Sequence, residues 1–238
     1  MDRRTLLLAL PIVLIPLIGF GVWKVTHGPA TSSPSGQAGF ESEAYLPPDP
    51  EPESEGARNL RELREAVAAF QQTTTFRAKL NVQTPDGQTS GQIDVMKPER
   101  FHGTVEVSSE DQNGEVIGVG TDMYVKQDDG TWLKIQSPTL AAALTTAFRS
   151  SVDTSEGLVS TRLPDGSTVT KSRNTGRACD EYRTAIANED GSTTDLVICV
   201  ADGLPVFIDA RANEGSVNVE YFDYNKLFTI ERPTVKRI

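Results

Sequence analysis

The sequence predicts an α+β fold, one antiparallel sheet preceded by a helix, on three observations. Leu60, Leu63, Val67 and Phe70 recur at spacings of three and four, the period of one helix face. From Thr75 the period becomes two, with Phe76, Ala78, Leu80 and Val82 on one side and Arg77, Lys79, Asn81 and Gln83 on the other. Turn dipeptides then follow at Asp86-Gly87, Asn113-Gly114, Asp129-Gly130, Asp165-Gly166, Asp190-Gly191 and Asp202-Gly203, with Glu214-Gly215 as a weaker one. Such pairs supply the positive φ of tight hairpins, so the sheet is expected to be antiparallel.

The chain opens with Arg3-Arg4 and a charge-free stretch, residues 5–23, closed by Lys24. As a helix it would measure about 28 Å, close to the hydrocarbon thickness of a bilayer. The paired arginines would keep the N-terminus cytoplasmic and place everything later outside the cytoplasm, in a periplasm or at the cell surface. We therefore expect residues 1–27 to be a single-pass anchor or uncleaved signal. A cleaved signal is the other reading, with Gly28-Pro29-Ala30 as its small-residue site. Arg3-Arg4-Thr5-Leu6-Leu7 also resembles a twin-arginine export signal. With no cysteine before Cys179, lipid attachment near the apolar run is excluded.

Residues 28–55 are rich in Pro, Ser, Gly and Glu, with Pro47-Pro48-Asp49-Pro50-Glu51-Pro52 as the stiffest part. This composition cannot bury enough apolar surface to offset backbone ordering, and it reads as a linker. Residues 56–238 are then long enough for one domain with a substantial core. The chain carries 23 basic and 33 acidic side chains, a net charge of −10. Such a balance opposes association with nucleic acid or an anionic lipid surface, and a nucleic-acid function is excluded.

Within that domain the helix is expected over residues 57–72, with Arg58, Arg61, Glu62 and Arg64 on its wet side. Leu140, Ala141, Leu144, Ala147 and Phe148 predict a short second helix between Pro138 and Ser151. Residues 179–224 read as a four-stranded meander because their turn signals fall at regular intervals. Its strand at Leu204, Val206, Ile208 and Ala210 alternates cleanly, whereas Leu196-Val197-Ile198-Cys199-Val200 is apolar on both faces and should be covered on both. A hairpin turning at residues 188–191 would set Cys179 opposite Cys199. In an exported chain this predicts a disulfide between the only two cysteines.

Val95-Met96-Lys97-Pro98-Glu99-Arg100-Phe101 leading into a strand, followed by Met123-Tyr124-Val125 and Gly130-Thr131-Trp132-Leu133-Lys134, resembles the LolA/LolB-like and LppX/LprG-like periplasmic carriers. The likeness covers about residues 57–230. It implies an unclosed, curved antiparallel barrel of about ten or eleven strands wrapped around a few helices, with an apolar cavity for acyl chains. Membrane-tethered regulators of envelope stress share that fold, so a protein partner in the envelope is the alternative to a lipid or other hydrophobic ligand. The residues expected to line a cavity are Phe76, Leu80, Val105, Val206 and Ile208.

No catalytic constellation stands out, and the chain is not expected to be an enzyme. His102 lacks a nucleophile motif such as G-x-S-x-G nearby. Gly118-Val119-Gly120 lacks the third glycine and the helix of a dinucleotide loop, and reads as strand with close backbone approach. Asn188, Asp190 and Asp195 are better explained by a hairpin turn than by calcium. Asp128-Asp129 and Glu110-Asp111 read as solvated turns rather than acid/base pairs. The two histidines lie apart from the cysteines, so neither a metal nor another cofactor is expected.

Overall fold

The computed structural model describes residues 53–108, 112–137, 139, 163, 167–188, 191–213 and 215–235. The expected anchor, nearly all of the linker, the second helix and the Asp165-Gly166 turn lie outside them. Among the described residues no helix is long and apolar enough to cross a membrane.

The helix α1 spans Glu55–Gln71 and buries Leu60, Leu63, Val67 and Phe70, the face read from the sequence. It begins slightly earlier than the apolar spacing indicates, because the Ser54 hydroxyl accepts the Ala57 amide at 3.2 Å and sets the N-cap. Eleven strands follow: β1 Thr75–Thr84, β2 Gly87–Met96, β3 Arg100–Val107, β4 Gln112–Val119, β5 Asp122–Lys126, β6 Trp132–Lys134, β7 Thr170–Asn174, β8 Cys179–Ala187, β9 Thr193–Ala201, β10 Leu204–Ala212 and β11 Gly215–Phe222. They form one sheet in the order β6-β5-β4-β3-β2-β1-β11-β10-β9-β8-β7, every neighbouring pair antiparallel. Two meanders thus join at the β1–β11 pair, and the sheet ends on β6 and β7 without closing.

Most of the dipeptides turn the chain as read: Asp202 and Gly203 have φ of 51° and 77°, and Gly130 and Gly191 have 78° and 82°. Asn113-Gly114 does not. Both residues lie inside β4, where Gly114 pairs with Val105. A dipeptide permits positive φ without requiring it, and here the long β3–β4 ladder keeps the backbone extended.

Residues alternate between a helix-bearing inner face and an outer face. Leu60, Leu63, Val67 and Phe70 meet inner-face side chains of both meanders in one apolar cluster. Phe70 is its hub, with ring centroids 5.0 Å from Phe76 and 5.2 Å from Tyr221. Inner-face glycines let the sheet bend tightly. A Cβ on Gly118 would fall 2.2 Å from the Phe101 ring, and one on Gly91 would fall 2.4 Å from the Thr104 carbonyl oxygen.

After β11 the chain runs as a strap beneath the strand ends. Asn225 donates its amide to the Thr75 carbonyl at 2.9 Å and its side-chain oxygen accepts the Thr74 amide at 2.9 Å. Arg100 donates to the Ile230 carbonyl at 3.1 Å, Arg232 meets Asp122 at 3.3 Å, and Val235 bridges Trp132 on edge strand β6.

Candidate functional site

The Lys97-Pro98-Glu99-Arg100-Phe101 motif proves architectural, with ties from four of its five residues. Lys97 Nζ donates to the Phe70 carbonyl at 3.0 Å and the Gln71 carbonyl at 3.3 Å, and lies 4.7 Å from the Phe70 ring centroid. A cation there satisfies the last helical carbonyls and complements the helix dipole. The Glu99 carbonyl accepts the Gly120 amide, Arg100 grips the strap, and Phe101 covers Gly118.

The other end of α1 is tied to the C-terminal meander. Tyr182 donates its hydroxyl to Glu62 at 3.0 Å, Lys171 reaches the same carboxylate at 2.8 Å, and Asn59 donates to the Val169 carbonyl at 3.0 Å. The Lys171 ammonium, then the Tyr182 hydroxyl, hold the Glu62 carboxyl below its ordinary value, while Glu62 pushes Lys171 up. Burial pushes Tyr224 up strongly; its hydroxyl donates to the Pro205 carbonyl.

Pairing registers assemble the inner face into transverse rows. One row reads Tyr182, Ile198, Ile208, Val219, Leu80, Gly91, Val105 and Gly114, crossing from β8 to β4. It unites three of the five residues expected to line a cavity: Leu80, Val105 and Ile208. Ile208 is 1% exposed, in the part of the sheet that α1 covers, whereas Leu80 and Val105 are 8% exposed and flank Gly91. Phe76, wholly buried, belongs to another row with Val95, Phe101, Gly118 and Met123. Val206 stands apart, half-buried at a register shift between Pro205 and Phe207 that interrupts the clean alternation expected of β10.

Strongest helix contacts go to β10 and β7. The inner face of β2, β3 and β4 combines glycines with Ile93, Val105 and Phe101, and Val95, Val107 and Val116 stand half-buried against the same core. This is an apolar wall with small relief.

Chemistry outside the wall is sparse. His102 Nε2 lies 2.9 Å from Glu115, whose other oxygen accepts from Lys126 at 2.6 Å. Burial works against the charged Glu115, yet the Lys126 and His102 bonds leave its carboxyl lowered overall. Among the described residues no three His, Cys, Asp or Glu side chains are placed to hold a metal ion. Asn188 spends its amide on Ser192 and Thr194 at 2.9 and 3.0 Å, within its hairpin.

Cys179 and Cys199 are bridged, with Cα atoms 5.5 Å apart. They are diagonal rather than opposite neighbours, since Asp180 pairs with Val200 and Cys199 with Glu181. The bridge lies on the outer face, buried beside Phe207, over which Arg177 stacks at 3.7 Å. That half of the sheet also buries Glu181 and Asp209, paired with Arg183 and Arg211. Sequence reading missed these charges, because a lone acid in a strand looks like a wet position; the near spacing of Glu181 to Arg183 and Asp209 to Arg211 was the available signal.

A scan against protein-family models finds no match, and a search of curated proteins finds none. Among solved structures, the Mycobacterium tuberculosis lipoprotein LppX aligns with a TM-score of 0.52 at 17% identity, over 73% of this chain and 98% of its own. LprF from Mycobacterium bovis aligns with a TM-score of 0.50 at 12% identity, over 74% of this chain and 97% of its own. Nearly the whole of each of these structures is matched by about three quarters of this chain. With its eleven antiparallel strands curved around α1 and left unclosed, this chain has the fold of LppX and LprF.

Proposed function

We propose that this protein is a membrane-anchored, extracytoplasmic, non-enzymatic domain that binds a lipid or another ligand with an acyl chain. The observation that carries the reading is the transverse row Leu80, Gly91, Val105 and Gly114, in which glycines on alternate strands open relief in an apolar wall beside α1. Residues 5–23 supply the anchor in this reading and residues 28–55 the stand-off. Phe76 and Ile208 act as the packed back of the site, and Leu80 and Val105 as the side chains that meet the ligand; Val206 borders it.

Native mass spectrometry of the full chain, released from membranes in a gentle detergent, tests this. The expected result is a stoichiometric co-purifying lipid. Val105→Trp should lower its occupancy while circular dichroism and melting stay unchanged. Absence of lipid, together with a loss of about 1–3 kcal/mol of stability in Val105→Trp, is the behaviour of a filled core. That outcome would turn the assignment to a module that recognises an envelope protein.

A further inference from the structure

The outer face carries a second concavity, independent of the lipid reading. A large twisted sheet is a saddle, so each face is hollow along one diagonal. On the outer face that diagonal forms an open trough of about 1120 Å³. It starts at the β5–β6 turn, at Lys126 and Asp128, and crosses β4, β3, β2, β1 and β11. It finishes at Phe207 on β10, beside Arg177 from the β7–β8 turn. Six strand-to-strand steps of about 4.8 Å give a run of roughly 29 Å.

Its lining is mostly polar, although Leu80, Gly91, Val105 and Gly114 of the inner row also border it. Asn81, Ser90, Gln92, Thr104, Asn113 and Asn218 contribute amides and hydroxyls, and all stand on outer-face positions. The charges are interleaved and one acidic side chain from neutral: Lys79, Lys126 and Arg177 stand among Glu106, Glu115, Asp128 and Glu220, and Lys126 is spent on Glu115. A polyanion would need a basic stripe, and a basic peptide would need the acidic excess that the chain as a whole carries. Neither is present in the trough. An acyl chain is disfavoured by the same polar lining. What matches a long, shallow, near-neutral surface rich in amides and hydroxyls is an uncharged chain of hydroxyl groups. Phe207, with Arg177 stacked on its ring, marks the trough's end.

We propose that this trough binds a neutral oligosaccharide segment laid across the strands. The full chain in detergent, run on native gels containing mannan, dextran or galactan, should migrate more slowly in at least one of them. Thr104 is exposed at mid-trough, so Thr104→Trp should fold normally and bind at least about tenfold more weakly. Thr193→Trp, exposed on β9 away from the trough, should behave as the parent does. Unretarded migration in all three gels overturns the proposal, as does equal retardation of the parent and Thr104→Trp. Retardation only by heparin, abolished by salt, would assign the trough to charge and overturn it equally. Lipid occupancy at the inner wall is read separately by mass and is unaffected by either result.

Discussion

The two halves of the sheet solve the burial problem differently. β1 to β4 bury chiefly one face: the inner side is apolar and glycine-laced, and the outer side is wet at mid-sheet, with Lys79, Asn81, Gln92, Thr104 and Glu106 in sequence across it, until Val119 and Tyr124 are buried on it at β4 and β5. β8 to β10 bury both faces. Their inner side meets α1, and their outer side hides a disulfide and two paired carboxylates with no helix among the described residues over it. A strand apolar on both faces therefore does not require a second helix. A cross-link, an aromatic ring and a stacked guanidinium can shield the other side.

The strongest way to break this contrast is at the seam, where Phe76 touches the helix and both meanders. Phe76→Ala should cost about 3–5 kcal/mol in urea unfolding, the range for a fully buried aromatic; a loss under 1 kcal/mol would mean that the one-sided half does not rest on this contact.

Reduction comes next. The bridge closes a separation of 20 residues, so opening it should cost about 3 kcal/mol in the chain-entropy picture. Amide exchange should accelerate chiefly in β8 and β9. Free thiols in denatured, unreduced protein would remove the staple from the account, and uniform acceleration across all eleven strands would erase the contrast between halves.

A smaller effect is expected from Gly118→Ala, where a methyl group meets the Phe101 ring. Overpacking should cost about 1–3 kcal/mol, and Gly118→Ala with Phe101→Leu should recover part of it. Additive losses in the pair would show that the ring and the glycine are not coupled.

The mildest test concerns the tie between α1 and the C-terminal meander. Because Glu62 has its pKa lowered from 4.5, its stabilisation is present above that value and fades as pH falls through the lower folded value. For Lys171, raised from 10.5, stabilisation is present below that value and fades only as pH rises through the folded one. Glu62→Gln should therefore lose about 1 kcal/mol at neutral pH and show a smaller acid dependence of Tm than the parent. Parallel acid profiles for the two proteins would remove Glu62 from the linkage.

Sequence alone determined the local geometry. The helix face from Leu60 to Phe70, the alternation of β1, the four strands of the C-terminal meander and the pairing of the two cysteines all follow from short-range period and turn chemistry, which neighbouring residues carry among themselves. The cysteine register was read one residue off, because loop length decides register and the turn there was judged from a dipeptide. What the tertiary structure alone decided was which strand lies beside which: β1 pairs with β11 across almost the whole domain, and only that pairing puts Leu80 and Ile208 into one row. It also decided that Asn113-Gly114 stays extended, that Lys97 caps the helix, and that Glu181 and Asp209 are buried. Each depends on partners far away in the chain, and a periodic pattern shows which face a side chain takes without showing what stands opposite it.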